Sequence, residues 1–155
     1  RFHDTLNRVM DEYGESGEVV WVYRQFPLDT LHPVKARLEA HATECAADLG
    51  GNDVFWQYTD RLFELSLTNN RTNTDVVIPQ IAEELGLDVV AFQECIESEK
   101  FNDDINADIA NAAQTGGRGT LWSILIGPDG TKYPINGAQP YESVRQLIEL
   151  ALKQQ

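Results

Sequence analysis

The sequence has no apolar run approaching the roughly 18 residues that a membrane-spanning helix requires, which excludes such a helix. Basic residues are scarce: 12 Lys and Arg stand against 25 Asp and Glu, for a net charge of -13. Nucleic-acid binding needs clustered Lys and Arg to meet phosphates, so no nucleic-acid partner is expected. The acidic residues are spread along predicted helices and not gathered in a tail, which reads as a solvated surface. Serines in a nucleophile-elbow context are absent, excluding an ordered Ser-His-Asp triad. The glycine run Gly116-Gly117-Arg118-Gly119 lacks the Lys and Ser/Thr of a phosphate loop. No internal repeat, low-complexity tract or signal peptide is visible, and no linker divides the chain. At 155 residues it is one domain's worth, enough to bury a sizeable core. It opens on Arg1 already within a helical pattern, so a natural start is not expected there.

Apolar spacing predicts the elements. Phe2, Leu6, Val9, Met10 and Tyr13 make residues 1 to about 13 an amphipathic helix. Val19 to Phe26, VVWVYRQF, is β-branched and aromatic with little polar alternation, predicting a strand covered on both faces and closed by Pro27. Val34, Leu38, Ala42, Cys45, Ala46 and Leu49 form a helical stripe ended by Gly50-Gly51. Asn52 and Asp53 are expected to cap a helix carrying Phe55, Tyr58, Leu62 and Phe63. After a polar loop from Asn69 to Asn73, Ile78, Ile81, Ala82 and Leu85 form another stripe. Asp88 caps a helix with Phe92, Cys95 and Ile96, and a further helix carries Phe101, Ile105 and Ile109. Leu121 to Asn136 reads as a strand hairpin around Pro128-Asp129-Gly130. A last helix carries Val144, Leu147, Ile148 and Ala151. A covered strand at 19–26 wants neighbours on both edges, and parallel neighbours need crossover helices. Something strand-like is therefore expected ahead of Arg1.

Little in this list carries chemistry by itself. Cys45 and Cys95, on the inner stripes of two predicted helices, are too far apart for a CxxC motif or a zinc knuckle. They are either a disulfide, worth on the order of 4 kcal/mol by the chain-entropy model, or two reduced core residues. His41 and Cys45 share a helix face at i, i+4. Only His3 and His32 remain as further soft ligands, so no metal is expected. His32 before Pro33 reads as a turn residue. The carboxylate pairs Asp103-Asp104 and Glu83-Glu84 read as solvated charge on amphipathic helices.

Five pieces in order resemble the DsbA-like thioredoxin-fold thiol:disulfide oxidoreductases. Members of that family run CPxCxxFH into the first helix, a strand ending in FPL, a helical insertion, and a GxxGTP loop before a strand. Here Phe2-His3 matches the tail of the first motif and YRQFPL, Tyr23 to Leu28, the strand end. IAEELGLD, Ile81 to Asp88, with Phe92 and Cys95, matches the insertion. GGRGT, Gly116 to Thr120, matches the loop, and NGAQPYE, Asn136 to Glu142, matches the last turn and helix start. The resemblance implies an α/β, thioredoxin-like fold, one domain over 1–155, with a helical insertion at about 33–114. It implies exchange of a CxxC disulfide with client proteins bearing cysteines, reoxidation by a quinone-linked membrane oxidase, and an extracytoplasmic location in a bacterium. No further cofactor is implied. Arg118, Gly119, Thr120 and Leu121 become the substrate loop, and Cys45 and Cys95 match a second, structural disulfide of some relatives.

Two departures qualify the resemblance. The CxxC is expected just before Arg1, together with a strand that is central to this sheet, so the chain as it stands has no catalytic residues; without that strand two hydrogen-bonding edges are exposed. Leu121 occupies the seat of the family's cis-proline. A cis bond before a non-proline residue costs roughly 2.5–4 kcal/mol, so Thr120-Leu121 is expected to be trans and the loop reshaped. Leu121 also weakens the case for full activity. The rival reading is a non-catalytic thioredoxin-fold module that keeps a groove for extended client peptides. A glutathione-transferase-like enzyme gains little support, because the helices are inserted and not appended.

Overall fold

A computed structural model describes residues 2–33, 35–66 and 72–154. Among these the elements run α1 (Phe2–Tyr13), α2 (Lys35–Gly50), α3 (Asn52–Leu65), α4 (Thr74–Glu84), α5 (Val89–Glu97), α6 (Asn102–Gln114), β1 (Trp122–Ile126), β2 (Lys132–Asn136) and α7 (Tyr141–Leu152). The expected position of Val34 and the first part of the Asn69 to Asn73 loop lie outside the described residues. The chain divides into two units, residues 1–24 with 112–155, and residues 25–111.

In the first unit, the i, i+3, i+4 spacing of α1 and α7 turns apolar rows onto each other. Phe2, Val9 and Tyr13 bury against Tyr141, Val144 and Ile148, with Ile135 of β2 in the same cluster. At the rim, Arg145 reaches Glu12 at 3.3 Å and Glu149 at 3.1 Å, the Tyr141 hydroxyl bonds Glu12, and the Arg8 guanidinium lies 3.8 Å above the Tyr141 ring. Such exposed pairs fix orientation more than they stabilise. β1 and β2 pair antiparallel, Trp122 opposite Asn136 and Ile126 opposite Lys132. Pro128-Asp129-Gly130 closes the hairpin: Gly130 takes φ 83°, which suits glycine, and Asp129 Oδ1 accepts from the Thr131 N–H at 2.9 Å.

The second unit is helical. Ala42, Cys45 and Ala46 of α2, Tyr58 of α3, Ile78, Ile81 and Ala82 of α4, and Phe92, Cys95 and Ile96 of α5 form its core. Small residues on α2 let the larger rings and branched chains of the other helices approach it. The Tyr58 hydroxyl donates to the Ile78 carbonyl at 2.9 Å, so this buried polar tip is satisfied. Asp88 accepts from Val90 and Ala91 N–H groups and starts α5; Asn73 accepts from Asp75 and starts α4. Cys45 and Cys95 are joined in a disulfide that staples α2 to α5.

Three expectations need correction. Asn52 and Asp53 do not cap α3: Gly51 precedes it at φ 82°, a left-handed value that suits glycine, and its carbonyl accepts from Phe55 at 3.1 Å. Leu49 and Phe63, placed on inner stripes, are 39% and 48% exposed, because each stripe is narrower than the run of apolar residues. Val19 to Phe26 is extended but pairs with no strand among the described residues, and it is not covered on both faces. Val20 and Val22 are 79% and 68% exposed, while Val19 packs on the core and Trp21 sits 5.5 Å from the His3 ring. β-branched composition supplies the extended backbone; covering and pairing depend on neighbours that a local pattern does not specify.

The disulfide leads to a stability test. Cys45→Ala with Cys95→Ala should lose up to about 4 kcal/mol of unfolding free energy, because the cross-link restricts the unfolded chain. Denaturant melts with and without reductant check this; unchanged midpoints would refute it.

Candidate client loop

The loop predicted to face a substrate lies between the end of α6 and β1, and its two ends are anchored differently. At the helix end, Gly116 and Gly117 N–H groups donate to the Ala113 and Ala112 carbonyls at 3.2 and 2.8 Å. Gly116 takes φ 96°, a value open to glycine and rare for other residues. Trp122, the first residue of β1, then folds back over the loop. Its Nε1–H donates to Thr115 Oγ1 at 3.2 Å, and a Cβ placed on Gly117 would lie 2.7 Å from the Trp122 ring. Only a residue without a side chain fits under that indole. At the strand end, the Leu121 carbonyl accepts from Gly137 N–H at 3.0 Å, continuing the β1–β2 pairing by one residue.

Between these anchors Arg118 and Thr120 are exposed, Gly119 is half-buried and Leu121 is 43% exposed. A Cβ on Gly119 would meet nothing within 4 Å, so the space beside the backbone is open there. The Thr120–Leu121 bond is cis, which overturns the expectation of a trans bond and a reshaped loop. The rule behind that expectation concerns the isolated residue pair, whereas here Leu121 is held by Gly137 on one side and by the Trp122 anchor on the next. Thr115 and Trp122 were not among the residues singled out in the sequence, and Gly137 entered only as part of NGAQPYE. The signal for them is faint: two glycines followed by a tryptophan at the start of a strand.

The other candidates are dispersed. His3 contacts Trp21 in the first unit. His32 lies in a turn of the second unit, and His41 Nε2 is 3.1 Å from Asn102 Oδ1. The Cys45 sulfur is bonded to Cys95, which removes it as a partner of His41 for a metal. Asp103, Asp104, Glu83 and Glu84 are exposed on their helices.

A second polar cluster, within residues 25–111, surrounds Gln25. This buried amide donates through Nε2 to Thr43 Oγ1 at 2.7 Å and Glu44 Oε1 at 2.9 Å, and the Gln25 N–H donates to Asp108 Oδ2 at 2.9 Å. Burial pushes the Glu44 carboxyl above its ordinary 4.5; the Gln25 hydrogen bond opposes this, and the negative Asp108 and Asp104 add to it. The folded chain thus holds the Glu44 proton more firmly than the unfolded chain does. Stability from this group rises as pH falls through the raised folded value, and the gain is complete below 4.5.

Set beside known proteins, the arrangement first defines a class: an α/β protein of thioredoxin-like fold with a helical insertion. The crystal structure of Pseudomonas aeruginosa DsbA2 superposes with a TM-score of 0.76 over 96% of this chain and 80% of that one, at 23% identity. No curated protein matches the chain. The DSBA-like thioredoxin domain family matches residues 25–149, and the chain belongs to that family.

Two substitutions check the site. Gly117→Ala should displace Trp122 and cost about 1–3 kcal/mol, whereas Gly119→Ala, with open space, should stay within about 0.5 kcal/mol. Thermal melts and near-UV circular dichroism read both, and equal effects would refute the Trp122 anchor. Glu44→Gln keeps an acceptor for Gln25 and removes the disfavoured charge. It should raise the melting temperature by about 1–2 °C at neutral pH, discounted for partial exposure, with the difference vanishing towards pH 4.5. A difference independent of pH would contradict the assignment.

Proposed function

We propose that residues 1–155, which hold no CxxC, belong to one disulfide-exchange domain of the DsbA type and are inactive by themselves, with the helical segment of about 33–114 as the insertion. In this reading Arg118, Gly119, Thr120 and Leu121 present backbone and side chains to an extended segment of a client protein. Clients are proteins with cysteines, and a quinone-linked membrane oxidase restores the disulfide. A location outside the cytoplasm in a bacterium fits the Cys45–Cys95 bond, since structural disulfides persist in oxidising compartments.

The family match carries the disulfide-exchange reading, and the state of the cysteines carries the expected inactivity of these residues alone. Exchange proceeds by thiolate attack on a disulfide sulfur, so it needs an accessible dithiol or disulfide. The chain has two cysteines, both joined to each other, with Cys45 fully buried and Cys95 only 8% exposed. Their role is that of a structural staple. These 155 residues alone should therefore give insulin reduction in the presence of a small thiol no faster than background. Robust turnover would overturn this.

One observation favours a second reading, a non-catalytic module that binds client peptides. Leu121 stands where relatives of the family carry proline, and a loop relieved of chemistry tolerates that change. Coding sequence read immediately upstream of Arg1 separates the two: a strand followed by CxxC supports the enzyme, and a strand without cysteine supports the module.

A further inference from the structure

We propose that Arg118 makes this loop selective for client segments that carry an acidic side chain. The inference rests on the reading of Arg118 to Leu121 as the client-facing loop. Acidic residues outnumber basic ones 25 to 12, and several cations elsewhere are engaged: Arg37 with Asp29, Arg61 with Glu64 and Glu84, Lys100 with Asp48, Arg145 with Glu12 and Glu149. Arg118 is exposed and makes no hydrogen bond or ion pair among the described residues. It lies between Gly117 and Gly119, neither of which carries a side chain, and a Cβ on Gly119 would meet nothing within 4 Å. The backbone beneath it is held by the Ala112 carbonyl and the Trp122 ring, so the guanidinium projects from a fixed base.

Among the described residues β1 pairs only with β2, so the client is taken at the loop that precedes β1 and not along the strand. An extended client laid along the loop alternates its side chains. A carboxylate among them finds in Arg118 a planar, permanently charged fork that it can engage bidentately. Leu121, 43% exposed, offers an apolar contact nearby. The chain's overall negative charge opposes acidic clients only at long range, where screening within about 8 Å at physiological salt removes most of the repulsion. The local contact decides.

The test uses the 155-residue protein and short extended peptides centred on Ser in place of Cys. They differ only in the residue beside the Ser: Asp, Asn or Lys. Titrations at physiological salt are followed through the amide resonances of Gly119 and Leu121. The Asp peptide should bind about twofold to fivefold more tightly than the Lys peptide. Arg118→Gln should abolish the difference and Arg118→Glu should invert it, with the rest of the spectrum unchanged as a check on folding. Equal affinities with shifts at Gly119 and Leu121 would overturn the role of Arg118 and leave the loop reading standing. No shift there with any peptide would overturn both.

Discussion

The candidate site depends on one contact, the indole of Trp122 against the backbone of Gly117. Through it three pieces of chain meet: the last turn of α6 by way of Thr115, the glycine loop that the ring covers, and the hairpin to which Trp122 belongs as a strand residue. A glycine loop has more conformations to lose on folding than any other segment of its length. A large aromatic that lies on the loop and anchors its polar edge by a hydrogen bond limits those conformations without adding residues. The outcome is a short presented segment, Arg118 to Leu121, whose ends do not depend on a ligand for their shape.

The helical unit solves a different problem. Its core is built on small α2 residues, which allow close approach but bury little area each. The disulfide compensates on the unfolded side of the equilibrium and holds α2 and α5 together, while Tyr58 and Phe92 supply the bulk. The Gln25 cluster shows the converse. Its carboxylates satisfy a buried amide and a backbone N–H, and the folded chain accepts a disfavoured charge at Glu44 in return. Groups placed for connection need not be placed for stability at neutral pH.

Legibility in the sequence follows the range of the interaction that decides each feature. The helices from α1 to α7 were readable because apolar spacing is local, and Asp88 announced its cap by the same kind of local rule. The loop was readable as a position, because its glycines and the residues after them form a contiguous motif. Val19 to Phe26 was misread as a covered strand: β-branched residues dictate extension, but pairing is decided by whatever lies alongside. The Thr120–Leu121 geometry was misread for a related reason, a residue-level preference applied to a segment held by Gly137 and Trp122. Gly51 in place of Asn52 is a smaller case, in which backbone freedom outranked a capping side chain.

The misreading of Val19 to Phe26 has a physical consequence. Val20 and Val22 are exposed on an extended segment that has no strand partner among the described residues, and β1 has only β2. Unpaired edges are a hazard in a protein with no use for them. Cysteine chemistry and the shaping of the loop are physically separate in these residues. The first needs an accessible thiol or disulfide, and both sulfurs are committed to the α2–α5 staple. The second needs the Trp122 ring over Gly117, its hydrogen bond to Thr115 and the Gly137 hydrogen bond to Leu121, none of which involves sulfur.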